Sequence, residues 1–299
     1  MAEVVTKKQL SPRTGPLSPA HSWYWIKLLG KNKGALAGAI MFTLLLLLAL
    51  AAPLISPFDP GDIQPERRLT PPGGEHLFGT DGFGRDILSR ILYGARISLF
   101  VGSSTVAITT IAGVILGLVA GYYRRLDNIM MRVLDGLMAF PAIILQIAIM
   151  AALGARLSNV ILALAIVYAP RMARVVRSAV LVQREQQYVE AARSIGASDL
   201  RIAMVHILPN CIAPVIVQST MIFAYSILAE ASLSFLGVGV PPEIPSWGTT
   251  LNEGRVLMWR APWISIFPGM AITLCVLALN MLGDGLRDIL DPKIRKKKN

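Results

Sequence analysis

Charge is what this sequence has least of. Only 16% of its 299 residues are Asp, Glu, Lys or Arg, against ~25% in an ordinary soluble domain. Hydrophobic residues make up 54% and the mean hydropathy is +0.57, which excludes a soluble fold and points to an all-α integral membrane protein. Cysteine is reduced to Cys211 and Cys275, both inside apolar runs. Two such residues make neither a disulfide framework nor a metal-thiolate site, and read as small buried apolar side chains. The three histidines, His21, His76 and His206, are scattered and no H-E-x-x-H occurs, so no metal site is expected. No G-x-x-x-x-G-K-[ST] phosphate loop is present, so ATP is not bound by that route. Neither a nucleophile–base pair nor paired carboxylates stand at membrane depth, and a membrane-embedded enzyme therefore lacks its constellation. No cofactor is called for. A net charge of +11 concerns the placement of basic residues about a membrane, not nucleic acid.

What is present is a series of uncharged runs of membrane length. Residues 1–33 form a basic arm with Lys7, Lys8, Arg13, Lys27, Lys31 and Lys33, in which Trp23, Tyr24 and Trp25 suit the headgroup zone. The first run, 34–58, is too long, and its polar leader far too long, for a signal peptide, so it reads as an uncleaved first span. Residues 59–96 are a mixed-charge, Pro/Gly-rich extracytoplasmic segment. It ends in a short amphipathic helix carrying Ile87, Leu88, Ile91, Leu92 and Ala95. Residues 97–287 make a five-helix core, with runs at 97–123, 136–155, 157–170, 207–229 and 261–283; the third of these continues helically through Val175, Val176 and Ala179. A basic tail, 288–299, closes the chain. Six spans place both termini on one side. With that side cytoplasmic, 21 of the 29 Lys and Arg residues fall inside, the expected bias.

The segment 183–209 is the long polar, helix-forming stretch between these runs. Tyr188, Ala191, Ala192 and Ile195 repeat at i, i+3, i+4, i+7 and predict one apolar helix face. Gly196 stops that helix. Ser198 is placed to cap a second, with Leu200, Ala203, Met204 and Ile207 on its apolar face before Pro209. Pattern alone fits a docking surface and a loop lying in the lipid interface equally well.

Glu230 is the acid of most interest. It closes an apolar run, where an ionisable side chain faces either a water-filled path or a partner such as Arg96 or Arg90. Ser103 and Ser104, with Thr105, Thr109 and Thr110, offer either a polar path lining or hydroxyl glue between helices. Gly102, Gly113, Gly117 and Gly121 on the same run predict close helix packing. Asp135 and Asp284 stand beside Arg132 and Arg287 and are expected to form interfacial ion pairs.

Glu190-Ala191-Ala192, then Gly196 and Ile207-Leu208-Pro209, resemble the EAA loop of ABC importer permeases, a pattern of EAA, three residues, Gly, and a closing I-x-L-P. His206 stands where the strict pattern has isoleucine. GTDGFGRDILSRILYGARISL (79–99), DNIMMRVLDGLMAFP (127–141), SLSFLGVGVPPEIPSWG (232–248) and NMLGDGLRDILDPK (280–293) look like the second, C-type permease subunit of dipeptide and oligopeptide importers, a family that includes nickel and glutathione importers. The resemblance implies a type I importer fold with cytoplasmic termini in a bacterial inner membrane. It implies a loop in which Glu190, Ala191, Ala192, Arg193, Gly196, Ile207, Leu208 and Pro209 couple to one or two cytoplasmic ATPases, which hydrolyse the ATP. It further implies a homologous partner permease, and an extracytoplasmic peptide-binding protein touching residues 59–95 and 237–262.

Overall fold

A computed structural model describes residues 32–290, so most of the basic arm and most of the basic tail lie outside the described residues. The described residues are helical apart from turns and two isolated bridges, Gly73 with His76 and Thr80 with Asp86. We label the helices α1 (Lys33–Ile55), α2 (Ile87–Tyr122), α3 (Arg124–Met138), α4 (Ala142–Leu153), α5 (Leu157–Arg184), α6 (Gln187–Ser194), α7 (Ile212–Phe235), α8 (Trp247–Leu257) and α9 (Trp263–Leu290).

Five helical stretches are long and apolar enough to cross a membrane: α1, α2, α5, Asp199–Phe235 and α9. The sixth crossing, expected at 136–155, is broken. Helices α3 and α4 meet at 89° across residues 139–141. Pro141 disfavours helical backbone at Phe140 before it, and the first residues of that run belong instead to α3. On that helix Asp127 and Asp135 reach Arg177 and Arg174 of α5. The side chain of Asn32, at the start of α1, donates to Asp288 near the end of α9 at 3.3 Å. Both described ends therefore lie together, and with the bent pair counted as one span the candidate crossings number six.

One further boundary differs from the pattern. The short amphipathic helix expected before the second span is the first part of α2 itself, 36 residues without a break. Asp86 starts it, accepting the backbone N–H of Ser89 at 2.7 Å, an N-cap that satisfies one of the free donors of the first turn. Helix α5 runs through Pro170 to Arg184, as the continuation past Val175, Val176 and Ala179 predicts.

Helix α2 packs most closely on α5, and the reason is its small residues. A Cβ on Gly117 would meet the Ala173 carbonyl oxygen at 2.5 Å and the Val176 Cβ at 2.6 Å. Glycine there lets two backbones approach where little else fits. Gly117→Leu is expected to force the pair apart at a cost of roughly 1–3 kcal/mol or more, read as a lower melting midpoint and loss of monodisperse protein in detergent. An unchanged midpoint would refute the close-packing role. Helix α1 lies against α9, and Phe42 meets Phe223 of α7 edge-on at 5.6 Å. Both cysteines are buried.

Outside the bundle, residues 56–86 fold into a lobe over the start of α2. His76 Nδ1 contacts Asp86 Oδ1 at 2.9 Å, and Phe78 stacks on Phe267 at 4.1 Å. Trp263 donates its indole N–H to the Thr80 carbonyl at 3.1 Å.

Candidate functional site

The loop between α5 and α7 is built on a buried base. Val189 and Ala192 of α6, then Ile202, Ala203 and Ile207, are turned into the chain, with Val189, Ile202 and Ile207 fully buried. The inward stripe of α6 is thus Val189 and Ala192, one step out of phase with the expected Tyr188–Ala191–Ala192–Ile195 face. Of those four only Ala192 is buried. Ile195 is 85% exposed and Leu200 72% exposed, and Glu190, Ala191 and Arg193 also face outward. Gly196 joins the two halves at φ +82°, a left-handed conformation that glycine adopts without strain.

Ser198 occupies the N-cap position of the following turn, Asp199–Arg201, with extended backbone, but its side chain makes no capping bond. Asp199 instead accepts a hydrogen bond from the Tyr122 hydroxyl at 2.5 Å. The guanidinium of Arg184 donates to the carbonyls of Gly121 and Tyr122. These bonds tie both sides of the loop to the end of α2.

Pro209 does not end a helix as expected. A π-helical stretch, Ile202–Ile207, and a 3₁₀ turn, Leu208–Cys211, carry the chain straight into α7. Leu208 is half-buried and Pro209 exposed. A π turn holds one more residue than an α turn. It therefore brings Ile207 into the inward slot and leaves His206 half-buried beside it. The departure from the EAA pattern at His206 is absorbed by that register.

Glu230 sits in α7 with no exposed surface. Its carboxylate accepts from the hydroxyls of Ser98 at 2.9 Å, Ser246 at 2.9 Å and Ser234 at 3.0 Å. Neither Arg90 nor Arg96 reaches it, so the arginine partner considered from sequence is replaced by three serines. Ser103, which donates to the Phe100 carbonyl at 3.1 Å, and Ser104 are not among its partners. Thr110 and Ser219 share a hydrogen bond of 3.0 Å between α2 and α7, the gluing use of such hydroxyls.

Arg90 belongs to another cluster. Its guanidinium donates to Glu253 at 3.0 Å, and Arg85 bridges Glu253 at 2.7 Å and Asp81 at 2.6 Å. This ties the outer lobe to α8. Burial raises the Glu253 carboxyl above its ordinary value, with Arg90 and Arg85 pulling it back. No sequence periodicity marks these four residues, because they come from a turn, a helix start and a helix 160 residues away.

The ion pairs expected at Asp135 and Asp284 are also redrawn. Asp135 meets Arg174 at 2.6 Å rather than Arg132, and Asp284 makes no ion pair among the described residues. No group of three or more His, Cys, Asp or Glu side chains fit to hold a metal occurs among the described residues.

A bundle of five or six candidate crossings, with an anchored two-part loop at one end and a charged lobe at the other, is the frame of a membrane permease. Residues 113–296 match the family described as binding-protein-dependent transport system inner membrane component. Residues 24–72 match the N-terminal TM domain of oligopeptide transport permease C. Among similar proteins, a putative peptide transport system permease protein of Brucella suis biovar 1 is 54% identical over 86% of this chain and 87% of its own. The dipeptide transport system permease protein DppC of Alkalihalophilus pseudofirmus is 48% identical over 90% and 89%. The glutathione transport system permease protein GsiD of Pectobacterium atrosepticum is 46% identical over 91% of each. The chain belongs to the binding-protein-dependent transport permeases, as a multi-pass protein of the bacterial inner membrane. These relatives are transport permeases, not enzymes.

Proposed function

We propose that this chain is one of two homologous permease subunits of an ATP-driven importer of di- or oligopeptides, and that the loop 183–209 receives the stroke of a cytoplasmic ATPase. The termini and this loop are then cytoplasmic, and the lobe 56–86 with α8 faces outward toward a peptide-binding protein. Import of peptides is the first reading because relatives at 54% and 48% identity carry that description. Glutathione, itself a small peptide, is the second, supported by the relative at 46%.

The observation that carries the coupling role is the division of labour in the loop. Ile195 and Leu200 are apolar and exposed at its tip, an apolar surface that a partner's groove would cover. Beneath them, Val189, Ala192, Ile202 and Ile207 are packed into the chain, and Tyr122 and Arg184 fasten the loop to α2. An apolar tip on a rigid base suits helix-in-groove docking. Motion of an ATPase would be passed on to the bundle as a rigid-body movement. Glu190, Ala191 and Arg193 flank the tip, while Gly196 sets its angle.

Cysteine at Ile195, paired with cysteines along the candidate groove of an ATPase subunit, is expected to form a crosslink in the assembled complex. One at buried Val189 is not. Crosslinking from neither position, or equally from both, would contradict this placement.

A further inference from the structure

Helix α5 carries Arg171, Arg174 and Arg177 at intervals of three. Counted as charges they look alike, but their surroundings differ. Arg174 pairs with Asp135 and Arg177 with Asp127, so both are neutralised by α3. Arg171 has no acidic partner among the described residues. Its guanidinium instead lies 5.7 Å from the ring of Tyr168 and 5.8 Å from that of Tyr225.

Its depth makes this arrangement informative. Arg171 stands midway along the 28 residues of α5, roughly 20 Å by helical rise from either end. A crossing that begins at the first residue of α5 needs ~30 Å of helix, so Arg171 lies short of its far boundary. Yet Arg171 is exposed on this chain, on the helix whose membrane window is 67% buried, the highest share among the five. A cation facing lipid tails at that depth is costly, and such residues turn to a water-filled cavity or to protein. Tyr225 beside it is 44% exposed, so the site opens outward from the chain between α5 and α7. Behind it Gln146 of α4 is buried against Tyr168.

Resting on the import reading above, we infer that Arg171, flanked by Tyr168 and Tyr225, is a substrate-contact point on the translocation path and takes the carboxylate of the passing peptide. A guanidinium offers a carboxylate a charge-assisted, two-pronged contact. Held over two rings rather than by an acid, Arg171 keeps its donors free for a transient ligand. The two neutralised arginines nearer the end of α5 leave Arg171 as the deep, unneutralised cation of the row. A buried acid of the partner permease would meet the same chemistry, and the experiment separates the two.

The test uses Arg171→Cys in the complete importer, with uptake of a radiolabelled free-acid dipeptide as readout. Cys211 and Cys275 are fully buried and out of reach of polar thiol reagents; wild-type complex treated in parallel is the control. Arg171→Cys is expected to lower uptake at least about tenfold, the scale of one lost charge-assisted hydrogen bond, while the partner permease still co-purifies. A cationic methanethiosulfonate is expected to restore uptake, an anionic one of similar size not to. Unchanged uptake in the variant, restoration by both reagents or by neither, or loss of the partner permease on purification would each overturn the assignment. Wild-type uptake tests the import reading by itself. A wild-type complex that moves no peptide sinks that reading, whereas normal wild-type uptake with an unimpaired variant sinks the Arg171 assignment alone.

Discussion

Replacing both Ile195 and Leu200 with aspartate should abolish peptide uptake, by about a hundredfold or more, in a chain that still inserts, folds and pairs with its partner permease. Both side chains are exposed on this chain, at 85% and 72%, so carboxylates there meet water and leave the fold intact. In the docked complex the same carboxylates would be carried into an apolar groove. Burying an unpaired charge costs several kcal/mol, and each 1.4 kcal/mol is a factor of ten in binding. ATPase subunits should fail to co-purify with the double variant, and binding-protein-stimulated ATP hydrolysis should disappear. Uptake at the wild-type rate would remove the loop from the coupling path. Two neighbouring changes act differently and serve as contrasts. Ala192 is only 6% exposed, so Ala192→Glu would disrupt the base of the loop before any docking question arises. Gly196→Pro demands φ near −65° where the chain has +82°, and should break the angle between the two halves.

Glu230→Ala is expected to destabilise the protein far more than Glu230→Gln. The three hydroxyls that converge on this carboxylate come from α2, α7 and the N-cap of α8. Alanine leaves all three without that acceptor in a space closed to solvent, at ~1–3 kcal/mol for each buried group left unpaired. Glutamine keeps an acceptor oxygen, and hydroxyls rotate to suit its amide. The melting midpoint of the purified complex should therefore fall sharply for alanine and little for glutamine, with uptake following stability in both. If alanine is as stable as wild type but transports poorly, Glu230 acts on the path rather than on the joint between helices.

Hydropathy and charge made the spans legible because a membrane imposes its thickness on every helix that crosses it. They failed where local geometry intervened. The break at Pro141 lies inside an uninterrupted apolar run, and only the pairing of Asp127 and Asp135 with α5 shows that the run's beginning belongs to α3. The phase of the α6 stripe was misjudged because Tyr188 and Ile195 are apolar yet exposed, a combination that periodicity counts as core. The inward place of Ile207 depends on a π turn, which has no residue signature in this stretch. The cage around Glu230 joins residues up to 132 positions apart, and pairings at that range leave no trace in spacing. Arg171, Arg174 and Arg177 were visible as a row; their difference appears only once the acids of α3 are in place.

Helix α2 has one more consequence. Proline lies inside α1 at Pro53, α5 at Pro170 and α9 at Pro268, but α2 carries none through 36 residues, roughly 54 Å at helical rise. At one tip Asp86 is held by His76 of the outer lobe; at the other, Tyr122 holds Asp199. On the proposed function, the surface that would receive substrate and the surface that would be driven are the two ends of a single pushrod with no elbow in it. Inserting one residue near its middle would turn one end about 100° against the other, uncoupling delivery from drive while leaving each end well formed.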